Sequence, residues 1–320
     1  MEVETRYQPS ADQLALVSTI EESLSEMLPI SRLHASTFES ADTWSSLDDI
    51  GLFNITASED AGGSGLGAVE EALIAIALGR GAVAPAVLAT MGAAHVADAG
   101  AMPARGQRIA AGYRRGDRVI VVDDDAPAFV LIREPAQAGL YQLDVAGSHD
   151  VESHLWCANL RRPGKLGKQL GCADARRLLR LRLLDAAALA GLAQTATEMA
   201  VSYALQREQF GRPIGTFQAI KHHCANMAIA ARCARDQTSF AAVAVDEGRE
   251  DAALQVESAL LVAGTSAMEN SGKNIQIHGG MGFSDEADPH LLVKRAQVLL
   301  TLAGGLDACT ARIADIKTTW

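Results

Sequence analysis

The chain has 320 residues, of which 48% are hydrophobic and only 4% aromatic. This length can bury a substantial core, which alanine, leucine and valine must fill, and the first two are strong helix formers. The net charge is −11 and no basic block stands out. The composition therefore favours an α-rich protein and argues against a nucleic-acid partner.

The five cysteines are odd in number and form no CxxC pair. They are Cys157, Cys172, Cys224, Cys233 and Cys309. The first residues, "MEVETRYQPSADQ", are polar and acidic, unlike a secretory signal, and no apolar run approaches the roughly 20 residues of a membrane span. We therefore expect free thiols in a cytoplasmic protein without a membrane partner.

A helical domain is predicted over residues 1–105. Apolar residues at helical spacing predict helices over 12–28, 68–81 and 85–99. The first of them follows Ser10, which suits a helix start. Residues 43–55 predict a short helix followed by an extended segment, and 58–67 form a glycine-rich loop.

A short β domain is predicted over residues 106–172. Its segments are β-branched or alternating in hydrophobicity and are separated by Asp, Pro and Gly, which is typical of antiparallel strands. The predicted strands cover residues 117–125, 127–134, 138–146 and 153–160.

A helical bundle is predicted over residues 173–320. Long helices with short connections favour antiparallel neighbours, so four or five helices should pack side by side. The predicted helices cover residues 175–208, 217–248, 251–278 and 288–303, followed by a last short helix.

Three stretches of this sequence carry a family resemblance. They read "GLFNITASEDAGGSGLGAVEEALIAIALGRG", "GLAQTATEMAVSYALQREQFGRPIGTFQAIKH" and "IQIHGGMGF". Over its whole length the chain resembles the acyl-CoA dehydrogenase family, although Ile76 and Ala77 replace a Glu pair of that family's first motif. The resemblance implies a mainly α fold with an N-terminal helical domain, a short antiparallel β domain and a C-terminal four-helix bundle.

The resemblance also implies FAD, which in this family lies across a subunit interface. The positions that would grip the ADP half of an FAD held mainly by the neighbouring subunit are Arg207, Gln209, Phe210, Ile214, Gln218, Gln276, Gly279 and Gly280. Arg suits a pyrophosphate because it offers a planar fork of donors, and Gly lets the backbone come close. Taken alone, "REQFGRPIG" would also suit a plain turn with Pro213 opening the next helix. His278 is either structural or a contact to the ribose.

The half of the site that would hold the flavin ring departs from the family pattern. The resemblance calls for a Thr-Glu-Pro-x-x-Gly-Ser-Asp segment followed by Trp-x-Thr, and neither is present. Residues 133–139, "REPAQAG", lack the Ser-Asp. Leu306 and Ala308 stand where a Thr and a Gln are usual.

Both family positions for the catalytic Glu are also empty. That Glu removes the α-proton of an acyl-CoA thioester while a hydride leaves the β-carbon. Gly304, or Ala303 with the gap shifted, stands at the first position, and Leu181, before Arg182, stands at the second. The sequence therefore predicts no catalytic residue in this chain.

Other charged residues could substitute or be structural. Asp185 and Glu286 are candidate bases, although a helix cap or a surface salt bridge is the simpler interpretation of each. Arg182 matches an Arg near the family's active site, and a solvated charge suits it as well.

A metal site is not expected in the second bundle helix. His222 and His223 point to different helix faces, and no carboxylate completes a site with Cys224 and Cys233.

Together these features suggest a degenerate subunit that closes the FAD site of a homologous catalytic subunit in a 2:2 heterotetramer. The resemblance implies an acyl-CoA substrate, a steroid-CoA among the candidates, and an electron-transfer flavoprotein as electron acceptor. Two alternatives stay open: a homomeric dehydrogenase with a displaced base such as Asp185, and a non-enzymatic scaffold for another dehydrogenase.

Overall fold

A computed structural model describes most of the chain. The described residues are 7–36, 38–115, 118–122, 127–134, 136–144, 149–151, 160–162 and 165–316. They form a helical layer, a small sheet and a helical bundle in chain order, which confirms the predicted architecture. The domain limits at 105 and 172 stay a prediction.

Four helices build the N-terminal region. They are α1 (Ala11–Met27), α2 (Ala41–Asp49), α3 (Ala68–Arg80) and α4 (Pro85–Ala93). Helix α1 begins at a capping box formed by Ser10 and Gln13.

Two local predictions in this region are wrong. Residues Leu52–Asn54 form a 3-10 helix, not an extended segment, because Gly51 turns the chain at φ 78° and Phe53 is buried against Trp44 with ring centroids 4.6 Å apart. Helix α4 ends at Ala93 rather than at residue 99. The chain then leaves the helix and runs to the sheet, where Ala97 forms an antiparallel β-bridge with Gly171.

The middle region is a seven-stranded sheet in the order β5-β6-β2-β1-β3-β4-β7. The strands are β1 (Ile109–Arg115), β2 (Arg118–Val122), β3 (Phe129–Arg133), β4 (Ala138–Asp144), β5 (His149–Val151), β6 (Leu160–Arg162) and β7 (Lys165–Ala173). Five of the six described strand pairs in this sheet are antiparallel, as predicted, and the exception is the central pair of β1 with β3, which is parallel.

Strands β1, β5 and β7 were not among the predicted strands. Gly112 interrupts β1, and Gly167 and Gly171 interrupt β7, which weakens the strand pattern of both. A Cβ on Gly171 would lie 2.1 Å from the carbonyl oxygen of Val96, so this glycine allows close packing against the segment that follows α4. Of the strand predicted over 153–160, residues 153–159 lie outside the described residues.

Five helices form the C-terminal region. They are α5 (Ala175–Gln206), α6 (Gln218–Asp246), α7 (Ala252–His278), α8 (Pro289–Leu302) and α9 (Gly305–Asp315). Helix α5 also packs on α3, and their backbones touch at Gly79. A Cβ at this position would lie 2.0 Å from the carbonyl oxygen of Ala188, so only glycine allows the approach. Ile76 and Ala77 are buried in this layer.

Candidate functional site

The corner between α5 and α6 is a small hairpin. Its strands are β8 (Glu208–Gln209) and β9 (Arg212–Pro213), and the turn residues Phe210 and Gly211 have φ values of 55° and 74°. Two residues with positive φ are the mark of a tight hairpin turn. A positive φ is unfavourable for residues other than glycine, so the backbone is strained at Phe210.

The side chains of this corner face outward. Phe210 is 92% exposed, and Arg207, Gln209 and Gln218 are exposed as well. Among the described residues, the guanidinium of Arg207 has no hydrogen-bond partner. Ile214 is half-buried in a cluster with Ala204 and Ile277. The hairpin therefore presents these residues at the surface, where Nε2 of Gln209 donates to the carbonyl oxygen of Glu208 at 2.7 Å.

The second predicted motif lies beside this corner. Helix α7 ends at His278, whose ring stacks on Tyr203 of α5 at 4.0 Å between centroids. Nδ1 of His278 is 2.8 Å from the carbonyl oxygen of Asn274, and burial lowers the pKa of this histidine. The predicted structural role of His278 suits these contacts, since the ring joins α7 to α5.

The glycine pair after α7 is open. Gly279 has φ 63°, and no atom lies within 4 Å of the position of a Cβ on either Gly279 or Gly280. Gln276, one turn earlier, is exposed, and its Oε1 accepts a hydrogen bond from Nζ of Lys273 at 2.8 Å. A group approaching this turn would meet backbone without side-chain obstruction.

A separate cavity of about 330 Å³ lies near the N-terminal end of α5. The walls come from β1, β3, α5, the end of α8 and α9. The lining residues are Tyr113, Arg114, Arg133, Glu134, Leu178, Arg182, Asp185, Thr301, Leu302, Ala303, Gly304 and Arg312. This cavity brings together Gly304 and Arg182, which were aligned from the sequence with the family's active site. Leu181 is not among the lining residues and is buried in the core, where its side chain lies against Gly92 of α4.

Asp185 is tied to the sheet. Its side chain is 3% exposed and forms a short ion pair with Arg133 of β3. Burial raises the pKa of Asp185, although the neighbouring charge of Arg133 opposes the shift. The interpretation of Asp185 as a helix cap or a surface salt bridge is wrong, because the pair is buried and links the sheet to the bundle.

Arg182 is also held by a buried carboxylate. Its Nη1 lies 2.7 Å from Oε1 of Glu257, whose side chain is 2% exposed. Arg312 donates to both oxygens of the same carboxylate, at 2.8 and 3.0 Å, and Sγ of Cys309 donates to it at 3.3 Å. The interpretation of Arg182 as a solvated charge is therefore wrong.

Among the described residues, the remaining candidate positions are engaged within the protein or lie at its surface. Glu134, in the turn from β3 to β4, accepts hydrogen bonds from Arg114 at 2.6 Å and from Gln137 at 2.8 Å. Pro135 of "REPAQAG" lies outside the described residues. Glu286 is exposed, and Leu306 packs towards Gly264 of α7, so neither presents a polar group to the cavity.

Gly304 is held in a left-handed conformation with φ 94°. A Cβ there would lie 3.8 Å from Nη1 of Arg312. The position that could carry a Glu in the family is thus suited to glycine and faces a cation.

The described residues contain no group of three His, Cys, Asp or Glu side chains that could hold a metal ion. No helix in the described part of the chain is both long and apolar enough to cross a membrane.

Sequence reasoning missed Arg133, Glu257, Arg312 and Cys309. Their partners lie more than 50 residues away in the sequence, so no local spacing reports them. The only sequence signal is indirect: charged residues such as Glu257 stand among apolar positions on the buried face of a helix.

Comparisons with known proteins agree with this architecture. The model of the acyl-CoA dehydrogenase N-terminal domain matches residues 10–104, and that of the acyl-CoA dehydrogenase C-terminal domain matches residues 173–316. Together they cover both helical regions. The chain belongs to the acyl-CoA dehydrogenase family, and the cofactor predicted from its sequence, FAD, is the cofactor of that family.

A curated relative, the acyl-CoA dehydrogenase FadE34 of Mycobacterium tuberculosis, is 30% identical over 312 residues. The match covers 86% of this chain but only 42% of FadE34, so this chain spans less than half of that relative.

Solved structures share the fold. The Tcur3481-Tcur3483 steroid ACAD matches with a TM-score of 0.77 and 21% identity, over 95% of this chain and 97% of that one. The ChsE4-ChsE5 complex from Mycobacterium tuberculosis matches with a TM-score of 0.75 and 19% identity, over 97% and 98%.

Proposed function

We propose that this chain is a non-catalytic subunit of a heteromeric FAD-dependent acyl-CoA dehydrogenase. It would complete the FAD site of a homologous catalytic subunit in a 2:2 heterotetramer that performs α,β-dehydrogenation of a CoA thioester. The favoured substrate class is a steroid-CoA, with an electron-transfer flavoprotein as the acceptor.

The observation that carries this proposal is the distance along α5 between two regions, the cavity and the exposed corner that matches the ADP-binding motif. The cavity lies beside Arg182 and the exposed corner begins at Arg207, about 37 Å further along a helix that rises about 1.5 Å per residue. One extended FAD is shorter than that distance. The corner therefore suits a cofactor whose flavin ring is held by another chain.

The corner fits the ADP half of FAD chemically. The unengaged guanidinium of Arg207 can give two parallel hydrogen bonds to a pyrophosphate. Phe210 and Ile214 offer an apolar wall for the adenosine, and the amides of Gln209, Gln218 and Gln276 can meet its polar edges. The open backbone at Gly279 and Gly280 allows a close approach. When bound, FAD would supply the hydride acceptor for the reaction.

The cavity of this chain does not fit the catalytic half of the reaction. No carboxylate stands at Leu181 or Gly304, and Asp185 already neutralises a buried guanidinium. A base that holds an ion pair must break it to take a proton, which makes a poor general base. A partner subunit would supply the Glu.

Two of the similar proteins support the assembly and substrate parts of the proposal. One is a complex of ChsE4 with ChsE5, and the other is described as a steroid ACAD. Their sequence identity to this chain is low. The steroid-CoA substrate is therefore proposed from fold similarity, and the heteromeric assembly from fold similarity together with the separation of the cavity from the corner.

The test is expression of the chain alone and with a candidate homologous subunit. We expect the chain alone to be flavin-free, and the co-purified complex to be 2:2 by native mass spectrometry and to show the visible absorbance of oxidised flavin. A stable yellow homotetramer of this chain that turns over an acyl-CoA would contradict the proposal. A complex that never contains FAD would favour a scaffold.

A second candidate, a homomeric enzyme that uses Asp185 as its base, has one observation in its favour. Asp185 lines the same cavity as Gly304, and burial raises its pKa. If it is the base, Asp185→Asn should abolish acyl-CoA-dependent dye reduction. Under the main proposal, the fraction of this variant that folds and assembles with a wild-type partner keeps the wild-type turnover per bound flavin, even though loss of the ion pair with Arg133 destabilises the chain.

A further inference from the structure

The cavity at the N-terminal end of α5 has an unusual charge balance. Its lining carries four arginines against two carboxylates. Including the carboxylate behind it that holds two of these arginines, the charged groups are Arg114, Arg133, Arg182, Arg312, Glu134, Asp185 and Glu257. This set, here called the arginine cluster, therefore keeps a net positive charge. An excess cation in a half-buried cavity attracts an anion more strongly than one on an open surface.

The arginines are held in place by their carboxylates. Arg133 is fixed by Asp185, Arg114 by Glu134, and Arg312 by two hydrogen bonds to Glu257. The arginine side chains range from 11% exposed at Arg133 to 34% at Arg114. A ligand would therefore meet guanidinium groups that are already ordered, which lowers the entropy lost on binding.

Arg312 has N–H donors that face the cavity and are not used in its pair with Glu257. Its Nε and Nη2 donate to Glu257, whereas Nη1 has no hydrogen-bond partner among the described residues. Nη1 lies towards Gly304, where the absence of a side chain leaves the approach open. A guanidinium has five N–H donors, so an anion can be bound without breaking the pair with Glu257.

We propose that the arginine cluster forms a binding site for a small oxyanion ligand, one that carries a carboxylate or a phosphate. The cavity of about 330 Å³ is at the small end of the range for ligand pockets. Its size suits a compact acid rather than a flavin ring with a thioester. The site is separate from the ADP-binding corner and would act as an effector or stabilising site within this subunit.

The test is isothermal titration calorimetry of the full chain, purified with its partner subunit where that is required. The probes are succinate and inorganic phosphate, with the neutral analogue succinamide as a control, all at ionic strength held constant with KCl. We expect saturable binding of succinate or phosphate and none of succinamide. The anion that binds more tightly identifies the carboxylate or the phosphate as the ligand group.

Arg312→Gln should weaken that binding by about tenfold or more, because it removes a charged donor. The matched control is Arg232→Gln on α6, whose exposed side chain pairs with Asp236 outside the cavity and which should leave binding unchanged. If Arg312→Gln fails to fold, Arg114→Gln, at the more exposed rim, serves instead. The absence of saturable binding by both anions, or equal binding in the cavity variants and wild type, would overturn the proposal.

Discussion

The two ends of α5 use the same residue types in opposite ways. At the C-terminal end, Arg207 and the glutamines near it are exposed, and the Arg207 guanidinium has no partner among the described residues. At the N-terminal end, Arg133 and Arg312 are largely buried and each is paired with a carboxylate. Charged groups without a protein partner are fully available to a ligand. The paired and buried ones stabilise the fold and offer a ligand only the donors that their pairs leave free, such as Nη1 of Arg312.

The energetic terms differ accordingly. A buried ion pair costs several kcal/mol in desolvation, so it persists only where both partners are present. The corner instead stores strain in the backbone of Phe210, which is typical of functional turns. The comparison predicts large stability effects at the cavity and binding effects at the corner.

The largest effect is expected for Asp185→Ala. It would leave the guanidinium of Arg133 buried without its carboxylate, which typically destabilises a protein by about 3–5 kcal/mol. Chemical denaturation of the variant and wild type measures the change in the free energy of unfolding. The matched control is Asp236→Ala in the exposed pair with Arg232, which should unfold at the wild-type midpoint. Equal midpoints for both variants would show that the cavity pair does not stabilise the fold.

Arg207→Ala should weaken FAD retention in the complex without changing its thermal stability. A hydrogen bond to a charged group contributes about 1.5–3 kcal/mol, so the affinity should fall by about one to two orders of magnitude. Arg207→Lys should restore only part of it, because an ammonium lacks the planar fork. Flavin content after dialysis provides the measurement, with Arg232→Ala as a control. If the Arg207→Ala complex keeps its full flavin content, Arg207 does not bind the cofactor and is only a surface charge at the end of α5.

Gly304→Glu should not create an active site. The added side chain would force a non-glycine residue to φ 94° and face Nη1 of Arg312, and a loss of about 1–2 kcal/mol is expected. Gly304→Ala separates the backbone strain from the effect of the carboxylate. The assay pairs Gly304→Glu with a partner whose own catalytic Glu is Ala and follows acyl-CoA-dependent dye reduction. Turnover above background would show that this subunit holds a competent flavin pocket.

The smallest effect concerns Cys309. Burial raises the pKa of its thiol to about 12, and Glu257 contributes to the shift. Because the folded pKa lies above the unfolded value of 9.0, the stability contributed by the neutral thiol is complete below pH 9.0 and is lost as the pH rises towards 12. Iodoacetamide at neutral pH should therefore label the exposed Cys172 and Cys233 while sparing Cys309. Rapid labelling of Cys309, read by peptide mass spectrometry, would contradict this burial.

The helices and the corner could be predicted because their signals are local. Apolar residues repeat within each helix, and the corner motif lies within the twelve residues from Arg207 to Gln218. The positive φ of Phe210 and the packing of Ile214 towards Ile277 could not be predicted, since they depend on how α5, α6 and α7 meet.

The sequence alone determined the helical character of both ends of the chain, the family, the cofactor and the absence of a Glu at Leu181 and Gly304, since each of these is a property of residue identity along the chain. Only the tertiary structure decided the roles of Asp185 and Arg182. Their partners, Arg133 and Glu257, are distant in the sequence and come within ion-pairing distance only when the sheet and α7 pack on α5. That packing decides whether a charged side chain is solvated or paired, because a charge removed from water needs an opposite charge beside it.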